Sequence, residues 1–210
     1  MTTRIMADDT LVRIGHCSPD APNVDVSVDG DIAFEDVAFE TISDYAELSA
    51  GRHEVAITPH GEDDAVLETT LELEENTNYS VLATGMVDDD LQATVLTDDP
   101  GVIAADQAHV RFVHCSPDAP AVDIRVADDG PMLFENVSFR TASEYAPVDA
   151  GAYDIEAVPT GTDEVTLSLP DTPFEGGAAV SAIAVGRVAD DSLTVILAED
   201  ARAAVPAEDD

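Results

Sequence analysis

The chain of 210 residues is 45% apolar, which suffices for one large domain or two small domains with hydrophobic cores. It carries 45 acidic and 8 basic residues, has a formal net charge of −37, and contains no lysine. This charge excludes nucleic acid as an expected partner, because phosphate binding requires a basic surface. No apolar run reaches the ~20 residues that a transmembrane helix requires.

The excess of carboxylates indicates the solvent for which the chain is built. Self-repulsion at this charge destabilises a compact state in dilute buffer. At ~1 M ionic strength the Debye length is only about 3 Å, so concentrated salt removes most of this repulsion. We therefore predict a protein adapted to near-saturating salt, of the kind made by halophilic archaea, with weakly bound cations on its surface.

The first distinctive segment, VRIGHCSPDAP from Val12, returns as VRFVHCSPDAP from Val110. Three segments of the first half match three of the second, namely 11–30 with 109–130, 34–61 with 134–161, and 79–96 with 180–197. The repeat predicts two tandem copies of one domain. The expected organisation is a first repeat at 1–97, a linker at 98–108, a second repeat at 109–198 and an acidic tail at 199–210.

Within each copy the apolar residues recur with a period of two. In VDVSV at 24–28, the three valines share one face of a strand, and the segment VDIRV at 122–126 repeats the pattern. Short alternating segments separated by Gly, Pro and Asp turns are typical of a sandwich of antiparallel strands. The predicted fold is all-β, with two tandem Ig-like sandwiches of six or seven strands each.

The repeated heptapeptide HCSPDAP is interpreted as a rigid corner between two strands. Proline presets the turn, and the serine and aspartate side chains bond nearby backbone N–H groups. Alternation along the strand points His16 and Cys17 to opposite faces. We expect the histidines to cap the corner by a ring hydrogen bond. The residues assigned to this structural motif are His16, Ser18, Pro19, Asp20, Pro22, His114, Ser116, Pro117, Asp118 and Pro120.

Two chemical alternatives to a structural corner remain open. A metal site would need the acidic residues that follow each histidine, and its candidate ligands are His16, Asp20, Asp25, His114, Asp118 and Asp123. Loop carboxylates offer a calcium-like site, although no cluster has the EF-hand pattern. An enzyme would use His16 and His114, but no nucleophile signature such as GxSxG accompanies them. We favour no catalytic residue, no metal ligand and no cofactor.

Three further features recur at matching positions of the two copies. Arg13 with Asp25, and its counterpart Arg111 with Asp123, are expected to form cross-strand ion pairs. The rings of Tyr45 and Tyr145 are expected to be buried with the hydroxyl bonded to backbone. Cys17 and Cys115 are expected to be free, packed thiols, because a disulfide framework normally pairs cysteines within one domain.

The sequence resembles the domain-of-unknown-function family numbered 4397. The resemblance rests on HCSPDAPxVD, the DVxF or NVxF segment, the S-[DE]-Y segment and the AG turn, and it covers nearly the whole chain in two copies. It implies exported or surface-attached β modules of the Ig type without an established activity. The family usually has alanine where Cys17 and Cys115 stand, so the resemblance implies no role for a thiol.

The expected function is therefore a non-enzymatic module that binds a protein or cell-surface partner, or that has a structural role. An extracellular or cell-surface location is implied by the resemblance. The first residues, MTTRIMADDT, lack an apolar signal region, so a cytoplasmic location stays open. The alternatives are a cation-binding module and an uncharacterised enzyme.

Overall fold

The structure is a computed structural model that describes residues 9–128 and 130–202. Sixteen β-strands and no helix occur in these residues, and no segment of them qualifies as a membrane-spanning helix. The chain divides into two compact units, unit 1 at 1–99 and unit 2 at 100–210. The prediction of two tandem β-sandwiches is confirmed.

Unit 1 is built from eight strands in two four-stranded sheets. One sheet has the order β4-β1-β7-β8 and the other has the order β3-β2-β5-β6. The strands are β1 (Asp9–Cys17), β2 (Val24–Val28), β3 (Asp31–Val37), β4 (Ala46–Ser49), β5 (Gly51–Pro59), β6 (Leu67–Leu73), β7 (Asn78–Thr84) and β8 (Gln92–Thr97).

Unit 2 repeats this arrangement strand for strand. Its sheets have the orders β12-β9-β15-β16 and β11-β10-β13-β14. The strands are β9 (Gln107–His114), β10 (Val122–Val126), β11 (Met132–Val137), β12 (Ala146–Asp149), β13 (Gly151–Pro159), β14 (Leu167–Phe174), β15 (Ala178–Val185) and β16 (Thr194–Arg202).

Two details of the predicted sandwich are wrong. Each unit has eight strands in place of six or seven, because the four-residue strands β4 and β12 are too short to show a clear apolar alternation. The sheets are also not purely antiparallel, since β1 runs parallel to β7 and β9 runs parallel to β15. The parallel pair places the heptapeptide, at the end of β1 or β9, beside the end of β7 or β15.

The core of each unit forms from the alternating residues that face the opposite sheet. In β2, Val24, Val26 and Val28 are buried while the two residues between them are half-buried, as the period of two predicts. Val12 and Ile14 of β1 join the same cluster from the other sheet. Each fully buried valine or isoleucine contributes about 1.5–3 kcal/mol of hydrophobic stabilisation.

The segments predicted as linker and tail contain residues that belong to the sandwiches. Asp98 is buried, and its backbone N–H donates to the carbonyl of Asn78. Strand β9 begins at Gln107, and β16 continues to Arg202 with Asp200 buried. The rest of the predicted tail, 203–210, lies outside the described residues.

Candidate functional site

The first heptapeptide follows strand β1 and folds back to β2 around the ring of His16. This ring is 0% exposed. The His16 Nε2 lies 2.9 Å from the carbonyl oxygen of Pro22, and the backbone N–H of Ser18 lies 3.3 Å from Nδ1. A carbonyl only accepts, so Nε2 carries the proton and Nδ1 accepts from Ser18. Burial lowers the pKa of His16, which keeps the imidazole neutral.

The second heptapeptide has the same geometry around His114. Its Nε2 donates to the Pro120 carbonyl at 3.0 Å, and the Ser116 N–H lies 3.3 Å from its Nδ1. The ring is 1% exposed, and burial lowers the pKa of His114. Both neutral histidines therefore connect the end of one strand to the segment that leads into the next strand.

The aspartate of each heptapeptide binds the loop that follows the parallel neighbour strand. Asp20 accepts the Val87 N–H at 3.0 and 3.1 Å, and it also accepts the Ser18 hydroxyl at 3.1 Å. In unit 2, Asp118 accepts the N–H groups of Val188 and Ala189, each at 2.9 Å. These long-range bonds have no signal in the sequence, because they depend on the unpredicted parallel pairing.

The electrostatics of Asp118 favour its ionised form. Partial burial acts to raise the pKa of this carboxyl, but the two backbone N–H groups and the Arg187 guanidinium outweigh burial and lower it. The Arg187 Nε lies 3.8 Å from Asp118 Oδ2. The carboxylate is thus already solvated by protein donors.

The remaining metal candidates, Asp25 and Asp123, have other partners. Asp25 Oδ1 accepts the Asp36 N–H at 2.8 Å and lies 2.9 Å from His60 Nδ1. Asp36 has a φ of 54°, at a register irregularity between β2 and β3, so Asp25 fixes a bulge. In unit 2, Asp123 accepts the N–H of Asn136 at 2.7 Å and a hydroxyl at 2.8 Å.

The proposed ligand sets therefore do not converge. Each carboxylate binds backbone N–H groups of its own unit, and each histidine uses both ring nitrogens on backbone. Within 9–128 and 130–202, no group of three or more His, Cys, Asp or Glu side chains is arranged to hold a metal ion. The Ser18 hydroxyl is buried and donates to Asp20, and the same carboxylate also accepts the Val87 N–H.

The predicted ion pair between Arg13 and Asp25 is wrong. Arg13 is 2% exposed, and its Nε donates to the Ser80 hydroxyl at 2.7 Å. That hydroxyl donates to Asp98 Oδ2 at 2.7 Å, and the Arg13 Nε lies 3.9 Å from the same oxygen. The arginine is therefore part of a buried charge network on β1, β7 and the end of β8, and not a surface pair.

Tyr45 is the fourth member of this network, and the acceptor of its hydroxyl differs from the backbone group that was predicted. The side chain is half-buried where burial was expected, and its hydroxyl donates to Asp98 Oδ2 at 2.6 Å. The centre of its ring lies 4.8 Å from the Arg13 guanidinium carbon. A cation over an aromatic face is attractive, more so when it is desolvated. The carboxylate, the hydroxyls and the ring together compensate the burial of one guanidinium.

Unit 2 builds the same network from Arg111, Ser181, Asp200 and Tyr145. The Arg111 Nε donates to Ser181 at 2.6 Å, and the Ser181 and Tyr145 hydroxyls each donate to Asp200 Oδ2 at 2.7 Å. The predicted pair of Arg111 with Asp123 is wrong for the same reason as in unit 1. The sequence carries a partial signal, because the arginine, serine and tyrosine match between the copies. The sequence alignment places Asp98 opposite Glu199, and only the strand register relates Asp98 to Asp200.

The two cysteines behave as predicted. Neither Cys17 nor Cys115 is in a disulfide, and both are 0% exposed. A thiol that solvent does not reach is a packing group with little reactivity.

Comparison with known proteins gives the chain a family. A family model described as a domain of unknown function, DUF4397, matches residues 10–125 and 126–209. The chain belongs to the DUF4397 family. The first matched segment runs past Asp99, so the DUF4397 segments do not coincide with the two compact units.

No curated protein matches this DUF4397 chain. Among solved structures, the chain is similar to a family 26 carbohydrate-binding module from Eubacterium rectale Amy13K, solved in complex with maltoheptaose. The identity is 10% and the TM-score 0.27, over 90% of this chain and 96% of that one. It is also similar to the Bacillus anthracis TIE protein, with 11% identity and a TM-score of 0.27, over 86% of this chain and 34% of that one.

Proposed function

We propose that the chain is a non-enzymatic binding or structural module that works at the surface or outside the cell of a halophilic archaeon. The observation that carries this proposal is the state of the two heptapeptide histidines. Both are buried, neutral and hydrogen-bonded at both ring nitrogens. The side chains that most resemble catalytic groups are therefore committed to holding loops.

The charge distribution supports the proposed environment. The acidic residues outnumber the basic ones 45 to 8, and two of the arginines, Arg13 and Arg111, are buried. The surface is therefore dominated by carboxylates with few cations to balance them. Such a surface is soluble in brine and repels itself in dilute buffer.

The proposed location is supported by the resemblance to this family, which implies exported or surface-attached modules. A rigid sandwich presents loops and sheet edges to a partner, which suits a binding or scaffold role. Cation binding is the second candidate named by the sequence, and no described group of side chains favours it.

Thermal unfolding in KCl between about 0.1 M and about 3 M tests the adaptation to salt. The proposal predicts a steep rise of the unfolding temperature with KCl. Calcium added at constant ionic strength is predicted to add nothing, whereas a calcium-specific rise would favour the cation-binding alternative. A flat response to KCl would contradict the proposed environment.

Cell fractionation with an antibody against the chain tests the location. The proposal predicts the protein in the envelope or the culture medium of the source organism. Recovery only with cytoplasmic markers would overturn that part of the proposal.

A further inference from the structure

Unit 2 contains a cavity of about 190 Å³ beside its heptapeptide. Strand β9 and the heptapeptide form one wall, while β13, the start of β14 and the loop after β15 form the others. Its apolar lining includes Phe112, Val122, Ala157, Leu167, Ala184 and Leu193. The pocket is partly open to solvent, and its mostly apolar lining favours the binding of an apolar group.

The few polar groups at the cavity determine which polar interactions a bound ligand can make. His114 is a lining residue, but its two ring nitrogens are bonded to Pro120 and Ser116. Glu164 is the one lining residue that carries a formal charge at neutral pH, and it is exposed, as is the lining residue Thr166. The cavity thus has an apolar interior and a single carboxylate near solvent.

The cavity coincides with a difference between the two copies. Ala157 of β13 pairs with Ile124 and Leu167. The equivalent residue of unit 1 is Ile57, which pairs with Val26 and Leu67 and is 3% exposed within the core. A branched side chain that fills the core of one copy is therefore replaced by a methyl group at the cavity wall of the other.

This replacement has an energetic consequence. An unfilled cavity destabilises a core by lost contacts and lost burial of apolar surface. A ligand that fills the space regains those contacts, which is a favourable contribution to binding. The size also limits the ligand, since a cavity of about 150 Å³ lined by apolar side chains accommodates benzene.

From these features we infer that unit 2 binds a small aromatic molecule with a cationic head group. The ring occupies the cavity between Phe112, Ala157 and Leu193, and the head group faces the Glu164 carboxylate. Anionic molecules are disfavoured by Glu164 and by the net charge of −37. The inference rests on the proposed binding function and names its ligand class.

Titration of the isotopically labelled full chain with benzylamine tests the site, at the lowest KCl concentration that keeps the protein folded. Chemical shifts of the Phe112 and Leu193 signals are expected to move saturably, while those of the equivalent residues Ile14 and Leu91 of unit 1 stay unchanged. Benzyl alcohol is expected to bind about two- to fivefold more weakly, and benzoate more weakly still.

Two variants with matched controls locate the ligand. Ala157→Ile introduces the residue of unit 1 and is expected to weaken benzylamine binding by at least about tenfold. Its unfolding temperature is expected to equal or exceed that of the wild type. Ala152→Ile adds the same group to an exposed position of β13 and is expected to leave binding unchanged. Glu164→Gln is expected to remove the preference for benzylamine over benzyl alcohol, whereas Asp163→Asn is expected to keep it.

Three results would overturn the inference. These are unmoved Phe112 and Leu193 signals in the wild-type chain, undiminished binding by Ala157→Ile, or a charge preference that survives Glu164→Gln. If Ala157→Ile does not fold, Ala157→Val fills less of the cavity and is expected to weaken binding in the same direction. The salt and fractionation experiments test the proposed function independently of this site.

Discussion

The ring of His16 and the carbonyl oxygen of Pro22, six residues later in the sequence, are joined by a hydrogen bond of 2.9 Å that closes a loop. His114 and Pro120 repeat the bond at 3.0 Å. Pro22 and Pro120 provide carbonyl acceptors but no backbone N–H. The duplicated heptapeptide is thus a closed corner whose donor and acceptor are both supplied from within it.

Removal of the His16 ring is expected to destabilise unit 1 strongly. His16→Ala leaves a cavity and removes the partners of the Pro22 carbonyl and the Ser18 N–H, at a cost of about 3 kcal/mol. Hydrogen exchange of the β1 and β2 amides measures this loss in unit 1 alone. His60→Ala, which removes an exposed ring, is the control and is expected to have a much smaller effect. Equal protection in His16→Ala and wild type would contradict the structural role.

Removal of the buried carboxylate of Asp98 is expected to lower the free energy of unfolding more than removal of a carboxylate from a partly exposed ion pair. Asp98→Ala leaves the guanidinium of Arg13 buried without its carboxylate, which costs about 3–5 kcal/mol. Glu156→Gln breaks a partly exposed pair with Arg125 and is the control, at about 0–1 kcal/mol. Denaturant unfolding of both variants measures the difference. Similar losses in the two variants would show that the Arg13 network is not energetically distinct.

Unit 1 contains two histidine–aspartate contacts that unit 2 replaces with neutral donors. His53 contacts Asp29 at 2.7 Å and the Ser49 carbonyl at 2.8 Å, whereas the Tyr153 hydroxyl donates to the equivalent Asp149 carbonyl. His60 contacts Asp25 at 2.9 Å. Hydrogen bonds to their aspartates raise the pKa of both histidines above 6.5.

This difference predicts a pH dependence with a defined sign. A raised histidine pKa stabilises the fold fully below pH 6.5, and the stabilisation disappears as the pH rises through the folded-state pKa. The double variant His53→Tyr, His60→Thr introduces the residues of unit 2. It is expected to lose stability relative to wild type at about pH 5.5 and to approach wild type at about pH 9. A pH-independent difference in the unfolding temperature would contradict this assignment.

The buried thiols are expected to be inert in the folded chain. Cys17 and Cys115 are both 0% exposed, so a thiol reagent reaches them only through opening of the structure. In concentrated KCl we expect labelling to be slow, and in dilute buffer to accelerate in parallel with unfolding. Rapid labelling of folded protein would show an accessible thiol and reopen a chemical role for the heptapeptide.

The sequence predicts the sandwich because Val24, Val26 and Val28 alternate, and this pattern depends only on local geometry. It does not predict the buried network, because Arg13, Ser80 and Asp98 meet only through the parallel pairing of β1 with β7. Sequence patterns pair Arg13 with Asp25 and place Asp98 in the predicted linker. The sequence signal for this network is limited to Arg13 and Ser80, which match Arg111 and Ser181 in the second copy.

The bulge at Asp36 escaped prediction for a related reason. The Asp36 N–H donates to the Asp25 carboxylate of the neighbouring strand. The positive φ of Asp36 is a local conformation that an aspartate at this position does not by itself predict. The same contact removes Asp25 from the candidate metal ligands. Residue types therefore suggested a ligand set that the strand register separates.

The protonation of the two heptapeptide imidazoles decides whether these rings are structural connectors. Long-range ¹H–¹⁵N correlation spectra of the folded chain between about pH 5 and about pH 8 report the tautomer and charge of each ring. We predict that both rings carry their proton on Nε2 and become charged only below pH 6.5, since burial lowers the pKa of His16 and of His114. Rings that titrate near pH 6.5 with rapidly exchanging protons would contradict it.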